Sequence, residues 1–296
     1  MPEPRRLLTF REVARRRSFS RAAEALSLTQ PAVSQQVAAL EREVGMPLID
    51  RRPGGLALTE AGEVLLGHAD ALWERLRVAD AQLAELAGRR EARLCVGAFA
   101  SAMGTVVPDA VARWRGGAVG VAVEAVEVSS AEAAAGVRDG RLHVAMCFED
   151  ASAPPREHEG TRRHDLALEP MDAAVGPGHR LARRRRVPLS ALAGETFVAP
   201  SREHLVRRAC VAAGFEPRID YVTRDPLAIR GLVAAGLSVT LTPRLLAGQL
   251  DGLRTIPLAG EAPSRRLYAL TPDVGARPRA LAFVEALAAA AEKRTR

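Results

Sequence analysis

Lysine is all but missing from this chain: Lys293 stands alone beside 41 arginines. That imbalance tracks the base composition of a GC-rich gene, so the preference for arginine carries little functional weight. Cysteine is scarce as well. Cys95, Cys147 and Cys210 are odd in number and far apart, which argues against a disulfide framework. They read as small residues of buried strands (Cys95, Cys147) and of a helix (Cys210), ahead of a redox switch. No apolar run approaches the ~18 residues of a membrane span. The opening Met1-Pro2-Glu3-Pro4-Arg5-Arg6 passes into an amphipathic pattern without the apolar core of a signal peptide, so a cytoplasmic location is expected. The histidines His68, His143, His158, His164, His179 and His204 show no ligand spacing with cysteines or carboxylates, so no metal and no cofactor is expected. No G-x-S-x-G, P-loop or H-E-x-x-H occurs, which removes the usual local signatures of an enzyme.

What is present is a chain of 296 residues, 48% hydrophobic and 26% charged. That is ample for a sizeable core, in one to three domains. The formal charge of +7 favours a polyanionic partner without separating nucleic acid from a membrane surface. The chain divides by pattern. Residues 1–58 are dense in short helical stretches. Residues 59–87 read as one long helix, and Gly88-Arg89-Arg90-Glu91 as a hinge. From 92 to 296 the pattern alternates between strand and helix, which predicts α/β layers with a largely parallel sheet. Strands are expected at Leu94–Phe99, Val119–Val128, Leu142–Phe148, Ala173–Val175, Thr196–Ala199, Ile219–Val222, Val239–Leu241 and Tyr268–Leu270. Helices are expected at Met103–Arg115, Ala131–Asp139, Ser201–Ala213, Pro226–Ala235 and Pro278–Lys293. This α/β part divides into two lobes, one near 92–165 with 267–296 and the other near 166–266. A cleft between such lobes is where ligands of open α/β sheets bind.

The first part carries a more specific pattern. Ser20 to Leu26 forms a short helix with Ser20 as N-cap, and Ser27-Leu28 make a turn. Thr29 caps a second helix with Gln30 and Pro31 in its first turn, where proline is tolerated. Val33, Val37, Leu40 and Val44 fall on one stripe at helical spacing. Pro31, Gln35, Ala38 and Arg42 lie opposite, with Ala32 in the first turn and Ser34 at the edge. A small, polar face at a helix N-terminus suits insertion into the DNA major groove, where glutamine reads adenine bidentately. An ordinary three-helix bundle with a solvated face is the plainer alternative. Two short extended stretches around Pro53-Gly54-Gly55 resemble a β-wing, with Arg51 and Arg52 placed to meet phosphates; a solvated arginine pair is the alternative there. Along the long helix, Leu65, Ala69, Leu72, Leu76, Ala79, Leu83 and Leu86 alternate at steps of four and three. This is the seam of a coiled coil between two copies, against the alternative of a helix packed on its own domain. The run Arg183-Arg184-Arg185-Arg186 reads as a solvated loop ahead of a second DNA contact.

Together these stretches resemble the LysR family of bacterial transcriptional regulators. The resemblance spans essentially the whole chain and is densest in the first 65 residues. It is carried by Arg17-Ser18-Phe19-Ser20-Arg21-Ala22-Ala23, Leu28-Thr29-Gln30-Pro31-Ala32-Val33-Ser34, Leu40-Glu41-Arg42-Glu43-Val44-Gly45, Leu48-Ile49-Asp50-Arg51 and Leu58-Thr59-Glu60-Ala61-Gly62. Ile49 stands where the family usually has phenylalanine, and Gln35 where it often has arginine. In the later half, His179-Arg180-Leu181-Ala182, Val187 to Leu192 and Leu232 to Pro243 match the family's effector-binding domain, which resembles periplasmic solute-binding proteins. The resemblance implies a winged helix-turn-helix that binds double-stranded promoter DNA, a linker helix, and a two-lobed effector domain. It implies a homodimer or homotetramer, autoregulation, and RNA polymerase as a candidate further partner. It places an unknown small-molecule effector near Ala100, Ser101, Ser129, Phe148, Ser201, Thr223 and Thr242. Helix N-termini near Ser101 and Ser201 would offer free N–H groups to an anion; simple helix capping is the alternative. Two other readings stay open. A solute-binding module explains the lobes but not the first 88 residues. An enzyme needs a nucleophile, base or metal constellation that the sequence does not show.

Overall fold

The structure, a computed structural model, describes residues 2–52, 55–86, 92–115, 121–203 and 205–295. The wing tip at Pro53-Gly54, Ala87 at the end of the long helix, the hinge at 88–91 and His204 lie outside the described residues, as do the side chains of Arg51, Arg52 and Leu86. The chain forms two compact units, Met1–Arg90 and Glu91–Arg296.

In the first unit, α1 (Pro4–Arg16), α2 (Phe19–Leu26) and α3 (Gln30–Val44) precede a hairpin of β1 (Ile49–Arg52) and β2 (Gly55–Leu58), and α4 (Glu60–Leu86) follows. The apolar stripes meet in one core of Phe10, Val13, Ala14, Ala22, Ala23, Val33, Val37, Leu40 and Leu48. Val44 and Ile49 pack at its margin, so Ile49 serves as a packing residue. α2 starts earlier than the sequence suggests. Ser18, not Ser20, is its N-cap, accepting from the Arg21 N–H, which leaves Ser20 exposed within the first turn. The turn to α3 closes on Ser27 in the left-handed region (φ 54°). Thr29 caps α3 as expected, its hydroxyl accepting from the Ala32 N–H. In the hairpin, Ile49 pairs with Leu58 and Arg52 with Gly55 in antiparallel register.

The second unit is built on β3 (Ala92–Ala98), α5 (Ala100–Met103), α6 (Val106–Arg115), β4 (Val121–Glu127), α7 (Ser130–Arg138), β5 (Val144–Asp150), β6 (Thr161–Val175), β7 (Thr196–Ala199), α8 (Leu205–Ala212), β8 (Arg218–Val222), α9 (Pro226–Ala234), β9 (Thr240–Pro243), β10 (Arg254–Pro257), β11 (Ser264–Pro272) and α10 (Pro278–Thr295). β4, β3 and β5 are parallel neighbours, and β11 and β6 extend the sheet antiparallel. β6 is the long element that joins the lobes. Through Pro170 it pairs with β11; from Met171 it pairs with β9 and β10. Only its last three residues are apparent as a strand from sequence, because Thr161 to Asp165 are polar. β10 has no sequence forecast at all, and the helix expected from Met103 starts only at Val106, with the separate short helix α5 ending at Met103 ahead of it.

Each lobe has its own core. The first packs β3, β5, β6 and β11 under α6 and α10, with Trp114 edge-on to Phe283. The second packs Met171, Phe197, Val206, Cys210 and Leu241. Cys147 and Cys210 are buried, and burial pushes both thiols up to about 12, so they stay protonated. Cys95 is only half-buried, because β3 lies next to the edge strand β4, whose Glu124 stands beside it.

Candidate functional site

Helix α3 presents the face that periodicity forecasts. Val33, Val37 and Leu40 are buried, while Gln30, Pro31, Gln35, Ala38 and Arg42 are exposed and Ala32 and Ser34 half-buried. Two contacts missed from sequence hold this helix. The Thr9 hydroxyl of α1 donates to Gln36 Oε1 at 2.6 Å. Glu41 Oε1 accepts the Leu48 and Ile49 N–H groups at 2.8 and 3.2 Å, so one carboxylate on α3 fixes where the wing begins. Each such charge-assisted bond contributes roughly 1.5–3 kcal/mol. Ser20 and Thr29 are exposed, as are Gln30 and Pro31 in the first turn of α3, although the Thr29 hydroxyl is engaged as a cap. The backbone of Arg51 and Arg52 lies in β1 of the wing.

Helix α4 departs from a uniform seam. Ala69 is fully buried and Leu65 half-buried against the head's own core, whereas Leu76 and Leu83 are exposed. The first turns therefore pack on their own domain, as the sequence alternative allowed. Leu76, Ala79 and Leu83 carry the uncovered part of the stripe, and Leu72 is half-buried. Asp70 locks this packing by accepting from Arg11 and Arg15 of α1 at 2.7 and 2.9 Å. Burial works to raise the Asp70 carboxyl, but the two guanidiniums outweigh it and hold it below the usual range. Arg11 also lies 5.0 Å over the Trp73 ring.

In the second unit the forecast effector residues lie at or near the carboxyl ends of parallel strands, except Thr242, which sits within an antiparallel one. Ala100 and Ser101 follow β3, Ser129 follows β4, and Phe148 ends the apolar part of β5. Ser201 follows β7, Thr223 follows β8, and Thr242 lies in β9. Direct contacts join Ser101 and Phe148 through a residue that sequence reasoning missed. The Arg265 guanidinium lies 4.4 Å from the Phe148 ring centroid and 5.2 Å from that of Phe99, and it donates to Ser101 Oγ at 3.4 Å. Its main partner is Glu169, fully buried, which it meets at 2.5 and 2.8 Å. Burial lowers the Arg265 pKa and Glu169 opposes the shift. The other oxygen of Glu169 accepts the Leu245 N–H at 2.9 Å. This network ties the segment after β9 to the first lobe.

The two lobes also meet through an exposed bridge. Arg208 of α8 donates to Asp150, the last residue of β5, at 2.9 Å. Burial raises the Asp150 carboxyl, but hydrogen bonds from Ser152 and Arg208 prevail and hold it below its usual range. The anion-site forecast changes at Ser201. Helix α8 begins at Leu205, so Ser201 sits in the preceding bend rather than at a helix N-terminus. Ser129 caps α7 in a reciprocal box with Glu132, so that helix end already holds its own carboxylate. The Thr223 hydroxyl accepts from the Asp225 N–H, and Thr242 is buried opposite Asp172. Glu169 and Arg265 lie 96 residues apart, so no local sequence signal could have paired them.

A helix-turn-helix head with a β-hairpin wing, on a chain that continues into two α/β lobes joined by the long strand β6, defines a ligand-responsive DNA-binding regulator. Comparison with known proteins agrees. Residues 4–63 match the family model described as bacterial regulatory helix-turn-helix protein, lysR family, and residues 87–292 match the LysR substrate binding domain. The chain belongs to the LysR family and is a DNA-binding transcriptional regulator modulated by a small-molecule effector. It is 31% identical over 291 residues to the RuBisCO operon transcriptional regulator of Allochromatium vinosum, covering 95% of this chain and 94% of the relative. It is 29% identical over 248 residues to the regulator AlsR of Bacillus subtilis (strain 168), covering 81% and 80%. Among solved structures it resembles full-length CbnR complexed with its target DNA, at 23% identity, TM-score 0.68 and coverage of 97% and 99%.

Proposed function

We propose that α3 enters the major groove of operator DNA, with Gln30, Pro31, Ala32, Ser34 and Gln35 at base edges and Ser20, Thr29, Arg51 and Arg52 toward the sugar–phosphate backbone. The observation that carries this reading is the exposed small and polar face of α3, opposite a stripe that is fully spent on the head's core. The CbnR relative bound to its target DNA supports it. In this reading residues 1–58 act as the head, 59–87 as the linker helix, 88–91 as a hinge and 92–296 as the effector unit. Two copies pair along the uncovered part of α4 in a homodimer or a pair of dimers, which lets two recognition helices read two half-sites. The effector binds among Ala100, Ser101, Phe148, Ser201 and Thr223, with Ser129 and Thr242 supporting the walls. The cleft binds its ligand without turning it over, and the protein acts in the cytoplasm. Effector binding shifts the balance between lobe arrangements only so far as it favours one of them.

Gln35→Ala tests the base-reading role. It is expected to weaken binding to the operator by ~1–3 kcal/mol and to relax preference at one base pair. Arg51→Ala should instead weaken binding to every sequence and reduce the salt slope by about 0.9. Equal losses on operator and random DNA for Gln35→Ala would remove Gln35 from the readout.

A further inference from the structure

The function just described leaves the run Arg183-Arg184-Arg185-Arg186 unused. All four residues are exposed. We propose that this loop of the second lobe is a further, sequence-independent contact to DNA phosphates, additional to the head.

Charge accounting singles the loop out. Residues 91–296 contain 28 basic and 23 acidic residues, a formal charge of +5, and this one loop contributes four of the positive charges. Elsewhere in the lobe arginine is mostly spent on carboxylates. Arg180 pairs with Glu195, Arg207 with Glu216, Arg208 with Asp150, Arg218 with Asp220 and Arg244 with Asp172. Among the described residues, no carboxylate lies within ion-pair distance of Arg183 to Arg186. The neighbouring Glu195 is already shared by His179 and Arg180.

The loop is also held in place. Leu181 and Val187, on either side of it, are buried in the lobe's core. Arg184 N–H donates to the Leu181 carbonyl, and Val187 exchanges backbone bonds with Pro257 and Ala259. Ordering the loop on a partner therefore costs little further backbone entropy. No large apolar side chain is exposed between residues 179 and 195. Protein interfaces rely on buried aromatic or aliphatic anchors, so this patch is better suited to a phosphate backbone than to an acidic protein. Guanidinium forks bind phosphate oxygens bidentately, and four consecutive residues span at most about 14 Å of backbone, so with their long side chains they can meet about two or three phosphates.

The test uses the full-length protein and a fluorescein-labelled random duplex of about 60 base pairs, because backbone contacts are indifferent to sequence. Binding is titrated over a KCl series for the wild type and for the variant with Arg183→Ser, Arg184→Ser, Arg185→Ser and Arg186→Ser. A second variant, Arg224→Ser, Arg230→Ser and Arg254→Ser, removes scattered arginines from the same lobe. The loop variant should keep its melting temperature, since these side chains have no described partner. Its log Kobs against log salt slope should be shallower by about 2–3, at roughly 0.9 per lost phosphate contact. The scattered variant should stay close to wild type. An unchanged slope for the loop variant, or an equal drop in both variants, overturns the proposal. Failure of the wild type to bind any duplex would instead overturn the DNA-binding assignment on which it rests.

Discussion

Two glycines in α4 should respond to alanine in opposite directions. Gly62 lies in the first turn of the helix, where an added Cβ would stand 2.1 Å from the Leu48 carbonyl oxygen and 3.1 Å from its carbon. That carbonyl cannot retreat freely. It accepts from the Thr59 N–H at 3.1 Å, and the Leu48 N–H is held by Glu41. Gly62→Ala must push the helix away from the wing, at an overpacking cost of about 1–3 kcal/mol plus about 1 kcal/mol for a weakened hydrogen bond. Better helix propensity returns about 1 kcal/mol, so the net loss is roughly 1–3 kcal/mol. Gly67 is exposed, and a methyl added there would meet nothing within 4 Å, so Gly67→Ala should stabilise by about 0.5–1 kcal/mol. The two tryptophans separate the units, Trp73 in α4 and Trp114 in α6. In a Trp114→Phe background, urea unfolding followed by fluorescence reports on the head alone. Protein concentration must be fixed because pairing adds apparent stability. If both alanines stabilise the head equally, the contact between α4 and Leu48 is not the constraint described.

Removing one partner of the buried pair in the second unit should be severe. Glu169→Gln leaves the Arg265 charge buried without compensation and should cost about 3–5 kcal/mol, read as a lower urea midpoint for the Trp114 signal; a loss below about 1 kcal/mol would mean that water compensates Arg265. The bridge between Asp150 and Arg208 should be lost on acidification. The Asp150 carboxyl is depressed from 3.8 in the folded chain, so its contribution is complete above the unfolded value and disappears as pH falls through the folded one. The stability difference between wild type and Asp150→Asn should shrink from about pH 6 to about pH 3, and a difference that stays flat would contradict the pairing.

How much was legible in the sequence depended on the range of each interaction. The head follows from local signals: Thr29 as cap, Val33, Val37 and Leu40 as a buried stripe, and short extended runs flanking the wing. Ser18 displaced Ser20 as the cap of α2 because either serine can open that turn and only tertiary packing chooses between them. The long strand β6 escaped notice because its first half is polar and draws its order from pairing with β11. The Arg265 network escaped for a stronger reason: Arg265 meets Glu169, Phe99 and Phe148 only after the chain has crossed between lobes and returned. The helix-terminus argument at Ser201 failed because the bend after β7 delays α8 to Leu205.

The central claim is that this chain is a sequence-specific regulator whose head reads its operator. Fluorescence anisotropy with the full-length protein, using the DNA upstream of its own gene and a shuffled duplex at two salt concentrations, tests it most directly. The account predicts a preference for the native DNA of ~10³ or more at near-physiological salt. Equal affinity for the two duplexes would contradict recognition of that upstream DNA, and no binding to either at both salt concentrations would contradict the claim itself.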